Sequence, residues 1–197
     1  PKLNAALAAQ ARTLEHVVFA NCTHEPAVAL AERLLKVVPP GLTRVFYSDN
    51  GSTAVEVAMK LAMQYWLNRG APQRTRFIAL HHAYHGDTVA AMSASDESIF
   101  TKPFTPMLFD VVRAHSPYCF RCPLGLELTT CGIACLDGAT AGPHTLASLL
   151  AEHADTVAAV IVEPMLQGAA GMIIWPKEFL AGVRRLCDRA GTLMIAD

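Results

Sequence analysis

The chain has 197 residues, 52% of them hydrophobic, and a formal net charge of -1, which is enough apolar material for one domain or one and a half with a real core. So small a charge excludes the basic footprint of a nucleic-acid binder or of an anionic-membrane binder. No run of eighteen apolar residues is present, so no membrane-spanning helix is expected, and the lone Lys2 with Glu15 and His16 interrupting the first apolar stretch makes no signal peptide; the sequence reads as cytoplasmic.

In chain order, the Ala- and Leu-rich residues 3 to 19 are helical in character. Thr23-His-Glu-Pro26 supplies a cap with proline in the first turn, and Ala27 to Val38 continues as a helix until Pro39-Pro40-Gly41 stops it. Val45, Phe46 and Tyr47 form a short apolar strand running into a polar turn and then an amphipathic helix whose Val55, Met59, Ala62 and Trp66 share one face. Thr53-x-x-Glu56 has the capping-box form. Arg69-Gly-Ala-Pro72 is a turn, Arg76 to Leu80 a strand, and Thr88 to Ser95 a helix of small residues. Between Pro103 and Pro123 four prolines argue for irregular structure around one short strand, Leu108 to Val112. A helix over His144 to His153 leads to a strand over Val157 to Val162, a loop through Gly168 and Gly171, and a helix over Glu178 to Ala190 with Phe179, Val183, Leu186 and Cys187 inward. Gly191 closes that helix, and Thr192 to Ala196 is a buried strand. Strands alternating with helices imply a mostly parallel sheet covered on both faces.

Ligands of such sheets collect at the carboxyl ends of the strands. The turn at Gly51 and Ser52, the Tyr84 loop, Glu163 and Asp197 all fall there. Gly51 admits a close backbone approach, Ser52 and Thr53 add hydroxyls, and the first N–H groups of the helix carry the positive end of its dipole, a combination suited to phosphate. The same residues also serve a turn that merely caps a helix. Tyr84 reads either as an aromatic ligand platform or as a half-buried loop residue, and Asp197 either as a site carboxylate or as the start of a helix.

Four segments, Ser48-Asp-Asn-Gly-Ser-Thr-Ala-Val-Glu-Val-Ala-Met-Lys60, Ala83-Tyr-His-Gly-Asp-Thr88, Val162-Glu-Pro-Met-Leu-Gln-Gly168 and Met194-Ile-Ala-Asp197, in this order and spacing, resemble the class III pyridoxal-phosphate aminotransferases of fold type I. The resemblance runs from about Val17 to the last residue. It implies a three-layer α/β/α PLP-transferase large domain, truncated, in which residues 1–197 are part of the cofactor-binding domain. It further implies pyridoxal 5'-phosphate as cofactor, a homodimer, and a small-molecule amino donor and keto acceptor. On this reading Gly51 and Ser52 hold the phosphate and Tyr84 stacks on the pyridine ring. Asp197 pairs with the ring nitrogen, and Glu163, with Gln167 after it, lies close to the site or caps a loop. His85 and Gly86 shape the Tyr84 loop, and Asp188 is a solvated helix residue. Asn21-Cys-Thr-His-Glu-Pro26 and Lys60-Leu-Ala-Met-Gln-Tyr-Trp66 are most similar to the biotin-pathway branch, whose acceptor is 8-amino-7-oxononanoate; another ω-amine or diamine transaminase is the alternative. The family's Schiff-base lysine lies downstream of the aspartate. Lys2, Lys36, Lys60, Lys102 and Lys177 all precede Asp197, so the sequence reads as a fragment, without the N-terminal segment and small C-terminal domain, and inactive alone.

Cys119-x2-Cys122-x8-Cys131-x3-Cys135 lies in a Cys-rich insert, residues 117–136. Its spacing suits a tetrahedral zinc site, and free thiols and a disulfide are the other readings. A small zinc-bearing α/β module without catalysis would be its extreme form. Cys22 and Cys187 stand alone and read as packing.

Overall fold

The computed structural model describes residues 1–139 and 141–197 and divides into two compact units, Pro1–Tyr47 and Ser48–Asp197. In the first, α1 (Lys2–Thr13) buries no residue and stops six residues earlier than its composition suggests, where Leu14 turns extended. Alanine and leucine favour helix through propensity, and propensity alone sets no end point. Helix α2 (Glu25–Leu34) starts at His24 rather than at a side-chain cap, with Pro26 in its first turn. Its last carbonyls pass into turns at Lys36 to Val38. The Tyr47 hydroxyl donates to Ala27 O at 2.6 Å. The expected strand at Val45 to Tyr47 is not assigned; a strand needs a ladder partner, and among the described residues none pairs with it.

The second unit opens with α3 (Gly51–Asn68). Its capping box is displaced from the expected one. Asn50 is the N-cap, its side chain accepting from Thr53 N at 3.0 Å while Thr53 Oγ1 accepts from Asn50 N at 3.2 Å. Glu56 instead accepts from Ala90 N at 2.8 Å and so caps the start of α4 (Val89–Ala94). A carboxylate on one helix thus fixes the next.

The sheet has the order β2-β1-β3-β6, built from β1 (Arg76–Leu80), β2 (Val112–Ala114), β3 (Val157–Val162) and β6 (Leu193–Ala196). All pairs are parallel, with Ile78 opposite Val112, Ile78 opposite Val160, and Val162 opposite Ala196. The expected strand at Leu108 to Val112 shifts to β2, because the prolines at 103 and 106 sit in a 3-10 helix over Lys102–Met107. The final strand is not buried: β6 lies on the sheet edge, with Leu193 to Ile195 half-buried and Ala196 exposed. The loop after Glu163 is a small antiparallel hairpin, β4 (Leu166–Gln167) and β5 (Ile173–Ile174).

Alternate side chains of the strands separate two cores. On one face Ile78, Leu80, Val160 and Val162 meet α6 (Leu146–Glu152) and α7 (Lys177–Ala190) through Leu146, Phe179, Val183 and Cys187. Between Ile133 and Gly138, α5 (Ala134–Asp137) adds Cys135 and Leu136 to this cluster. On the other face Phe77, Ala79, Ala159 and Ile161 meet Val55, Met59 and Ala62 of α3 and Ala91 and Ala94 of α4. Trp66 completes that stripe by donating its indole N–H to Ala158 O at 2.8 Å. Burying each large side chain contributes about 1.5–3 kcal/mol, so the sheet and its two layers form the rigid base on which the strand ends are held. At α7 the inward residues are those expected, and Gly191 closes the helix in the left-handed region at φ 58°. No described helix is long and apolar enough to cross a membrane.

Candidate functional site

Three neighbouring strands, β1, β3 and the edge strand β6, release their chains at one end of the sheet. β1 leads to the Tyr84 loop, β3 to Glu163 and β6 to Asp197, whose backbone N–H donates to Val162 O at 3.0 Å. A cleft of ≈ 550 Å³ opens there, lined by residues that include Gly51, Ser52, Tyr84, His85, Thr88 and Asp197. Three of the groups singled out from sequence therefore share one hollow.

Each wall has a local cause. Asn50 takes the Thr53 N–H, which leaves the Gly51 and Ser52 N–H groups at the start of α3 without intrahelical partners. They carry the positive end of an 18-residue helix toward the cleft. A Cβ on Gly51 would meet nothing within 4 Å, so that side of the backbone is open to a ligand. Ser52 Oγ accepts from Thr88 N at 2.9 Å and is hydrogen-bonded to Thr88 Oγ1 at 2.7 Å. Thr53 does not join them: its hydroxyl is held in the cap by Asn50 and by Ser48 at 2.6 Å.

Gly86 makes the junction between the two loops. Its φ is +123°, and an added Cβ would lie 2.8 Å from Ser52 Cα, so both its conformation and its lack of a side chain are required. Tyr84 is 40% exposed with its ring at the cleft wall. Its phenol pKa is raised, first by desolvation and then by the Asp87 charge and hydrogen bond.

Glu163 stands behind this loop rather than in the cleft. Oε1 accepts from Tyr84 N at 3.0 Å and Oε2 from Gly168 N at 2.8 Å, the loop-capping arrangement. Gln167 is a buried brace: its Nε2 donates to His81 O at 2.8 Å and its Oε1 accepts from the Ser116 hydroxyl. At the base of the same loop His82 adopts φ +62°, and its N–H donates to Asp96 Oδ2 at 2.7 Å. Burial opposes ionisation of Asp96, but the His81 and His82 hydrogen bonds, with the His81 and Arg113 charges, outweigh it and hold the carboxyl well below the usual range. The Arg113 guanidinium donates to Ser93 O at 2.7 Å and Ser95 O at 2.6 Å, satisfying the last carbonyls of α4.

The contact that sequence did not disclose is His85. Its Nδ1 lies 2.7 Å from Asp197 Oδ2, with the imidazole fully buried. Adjacent residues of an extended segment face opposite ways, which puts Tyr84 at the cleft and His85 beneath it; that alternation was the available signal. Thr88 was likewise read only as a helix start. Asp188 is the solvated residue expected, paired with Arg184 at 2.7 Å.

Cys119, Cys122, Cys131 and Cys135 line a separate hollow of only ≈ 20 Å³. All six cysteines are free thiols. Among the described residues no three His, Cys, Asp or Glu side chains are grouped to hold a metal ion. Burial, with the charges of the other three cysteines, pushes Cys135 up to about 12, and burial takes Cys187 to about 11. Cys187 is packed in the core as expected, whereas Cys22 is exposed.

A family model described as Aminotransferase class-III matches residues 1–197. Adenosylmethionine-8-amino-7-oxononanoate aminotransferase of Geobacter sulfurreducens is 48% identical over 197 residues, covering all of this chain and 42% of that protein. The Nitratidesulfovibrio vulgaris protein of the same name is 45% identical, covering all of this chain and 35% of its own length. The chain thus spans about two-fifths of the curated relatives it matches. Among solved structures, the Methanocaldococcus jannaschii enzyme of that name superposes with a TM-score of 0.84 at 35% identity over the whole chain and 40% of its own. An omega transaminase from Pseudomonas jessenii in complex with PMP superposes at 0.85 with 28% identity, covering 42% of its chain. Folded as fold type I transaminases are, and matched from its first residue to its last, the chain belongs to the class III aminotransferase family.

Proposed function

We propose that this chain is the cofactor-binding part of an aminotransferase that uses pyridoxal 5'-phosphate and moves an amino group onto 8-amino-7-oxononanoate, in biotin synthesis. The observation that carries the reading is the convergence of the α3 N-terminus, the Tyr84 ring and the Asp197 carboxylate on one cleft. The donor set fits the cofactor. Two helix N–H groups and Ser52 suit a phosphate dianion, an aromatic face suits a planar ring, and a carboxylate suits a ring N–H. When bound, pyridoxal phosphate supplies an electron sink for bond-breaking at the amine-bearing carbon.

This chain's residues bind and orient. Gly51 and Ser52 anchor the anionic end, and Gly86 lets the second loop close against them. Tyr84 covers the ring face. Asp197 holds the ring proton in place, and Glu163 fixes the backbone from which Tyr84 projects. Relatives bearing the 8-amino-7-oxononanoate name at 40% to 48% identity support that acceptor. We place the protein in the cytoplasm as a homodimer, with the second copy completing the site.

Purified full-length protein should bind pyridoxal phosphate and transfer an amino group to 8-amino-7-oxononanoate, followed by product mass with adenosylmethionine and with lysine as donors. Turnover of simple ω-amines or diamines but not of that acceptor would reassign the substrate. Tight zinc without cofactor binding would replace the reading with the non-enzymatic module.

A further inference from the structure

His85 is 3% exposed and clamped at both ends. Its backbone N–H donates to Ser95 Oγ at 2.8 Å, and that hydroxyl donates in turn to Ala91 O at 2.9 Å in α4. The loop is therefore pinned to a helix whose start is capped by Glu56. At the other end Nδ1 meets Asp197 Oδ2 at 2.7 Å. The remaining ring nitrogen, Nε2, is buried with no hydrogen-bond partner among the described residues.

These facts decide which nitrogen carries the proton. A hydrogen placed on Nε2 would be a buried donor with nothing to receive it, and it would leave an Nδ1 lone pair facing a carboxylate lone pair. Both arrangements cost the full desolvation penalty of an unmade bond. With the hydrogen on Nδ1, the short contact is an N–H donating to a carboxylate, the stronger class of hydrogen bond, and only an acceptor lone pair is orphaned. An aspartate on the end of an edge strand otherwise has a freely rotating χ2 torsion. One oxygen tied to a buried ring leaves the other with a fixed direction.

We propose that His85, as its Nδ1–H tautomer, is a positioning residue that fixes the rotation of the Asp197 carboxylate so that its second oxygen faces the cleft. The ligand group thereby recognised is a planar aromatic N–H, such as a pyridinium. This rests on the proposed cofactor reading, which identifies the ring. It gives the buried histidine a directional role that holding the loop in shape would not require.

The test uses the full-length protein with His85→Leu, which removes the donor, and His85→Asn, whose side-chain N–H stands near the position of Nδ1–H. Dissociation constants are measured for pyridoxal 5'-phosphate and, separately, for inorganic phosphate, which occupies only the Gly51 and Ser52 end. His85→Leu is expected to weaken pyridoxal phosphate about tenfold, the size of one lost hydrogen bond to a charged group, and to leave inorganic phosphate unchanged. His85→Asn is expected to recover most of the loss. Unchanged pyridoxal phosphate binding in His85→Leu, an equal loss for both ligands, or no recovery in His85→Asn overturns the proposal. Wild-type protein that binds no pyridoxal phosphate sinks the proposed function instead. In that case the imidazole nitrogen-15 spectrum still decides this inference: a proton on Nδ1 supports it and a proton on Nε2 refutes it.

Discussion

The two faces of the sheet solve different problems with the same strands. Toward α6 and α7 the strands present Ile78, Leu80, Val160 and Val162 to Leu146, Phe179 and Val183, with Trp175 edge-on to Phe179 at 4.9 Å. Toward α3 and α4 they present Phe77, Ala79, Ala159 and Ile161 to Val55, Met59 and Ala62 of α3 and to Ala91 and Ala94 of α4. Large side chains on the first face supply apolar burial. The second face mixes large residues with Ala79, Ala159, Ala91 and Ala94, which let α4 approach closely, and polar bonds then fix its helices: Glu56 on Ala90 N, Ser52 with Thr88, Arg113 on the last carbonyls of α4. The site opens at the strand ends beside the second face, where the starts of α3 and α4 and their directional bonds form its wall.

If that division holds, each face fails in its own way. Phe179→Ala on the first face should cost about 3–5 kcal/mol of stability, since a fully buried aromatic leaves a cavity behind. Denaturant unfolding measures it, and pyridoxal phosphate affinity in the surviving folded fraction should not change. Gly86→Ala should, beyond any loss of stability, weaken pyridoxal phosphate about a hundredfold in titrations of the folded protein, because the new methyl meets Ser52 and a strained φ together. Ser52→Ala is milder. It removes one hydroxyl from the anchor and leaves Thr88 N without its acceptor, so affinity should fall about tenfold, with inorganic phosphate binding falling alongside.

The smallest effect concerns pH. The Asp96 carboxyl is depressed, so its contribution to stability is complete above about pH 4, where the unfolded residue is ionised, and is lost as pH falls below that toward its folded pKa. Thermal melts of wild type and Asp96→Asn should differ at pH 7 and converge as the pH is lowered toward 2. A gap that widened in acid would contradict the assignment.

The contrast also explains what sequence made readable. Helix α7 was legible almost to the residue, because Phe179, Val183, Leu186 and Cys187 repeat at helical spacing and Gly191 marks the end. The continuous apolar run of β3 was equally plain. The second face hides its logic, since Ala91 and Ala94 carry no signal beyond smallness, and the capping box at Asn50 was mistaken for one at Thr53 because both spacings suit a helix start. The chain gives no local sign that β6 would lie at an edge, which depends on strand order. Gly51, Ser52, Tyr84 and Asp197, which line one cleft, were singled out through motifs. The His85 to Asp197 bond was not, as its partners stand 112 residues apart and only the parallel pairing of β1, β3 and β6 brings them together.

The central claim is that one ligand touches the α3 N-terminus, Tyr84 and Asp197 at once, and a crystal structure of the full-length protein soaked with pyridoxal 5'-phosphate tests it most directly. Density should show the phosphate on the Gly51 and Ser52 N–H groups, the ring against Tyr84, and the ring nitrogen within hydrogen-bond distance of Asp197. A cofactor bound elsewhere, or a phosphate seated at Gly51 with its ring turned away from Asp197, would contradict the account.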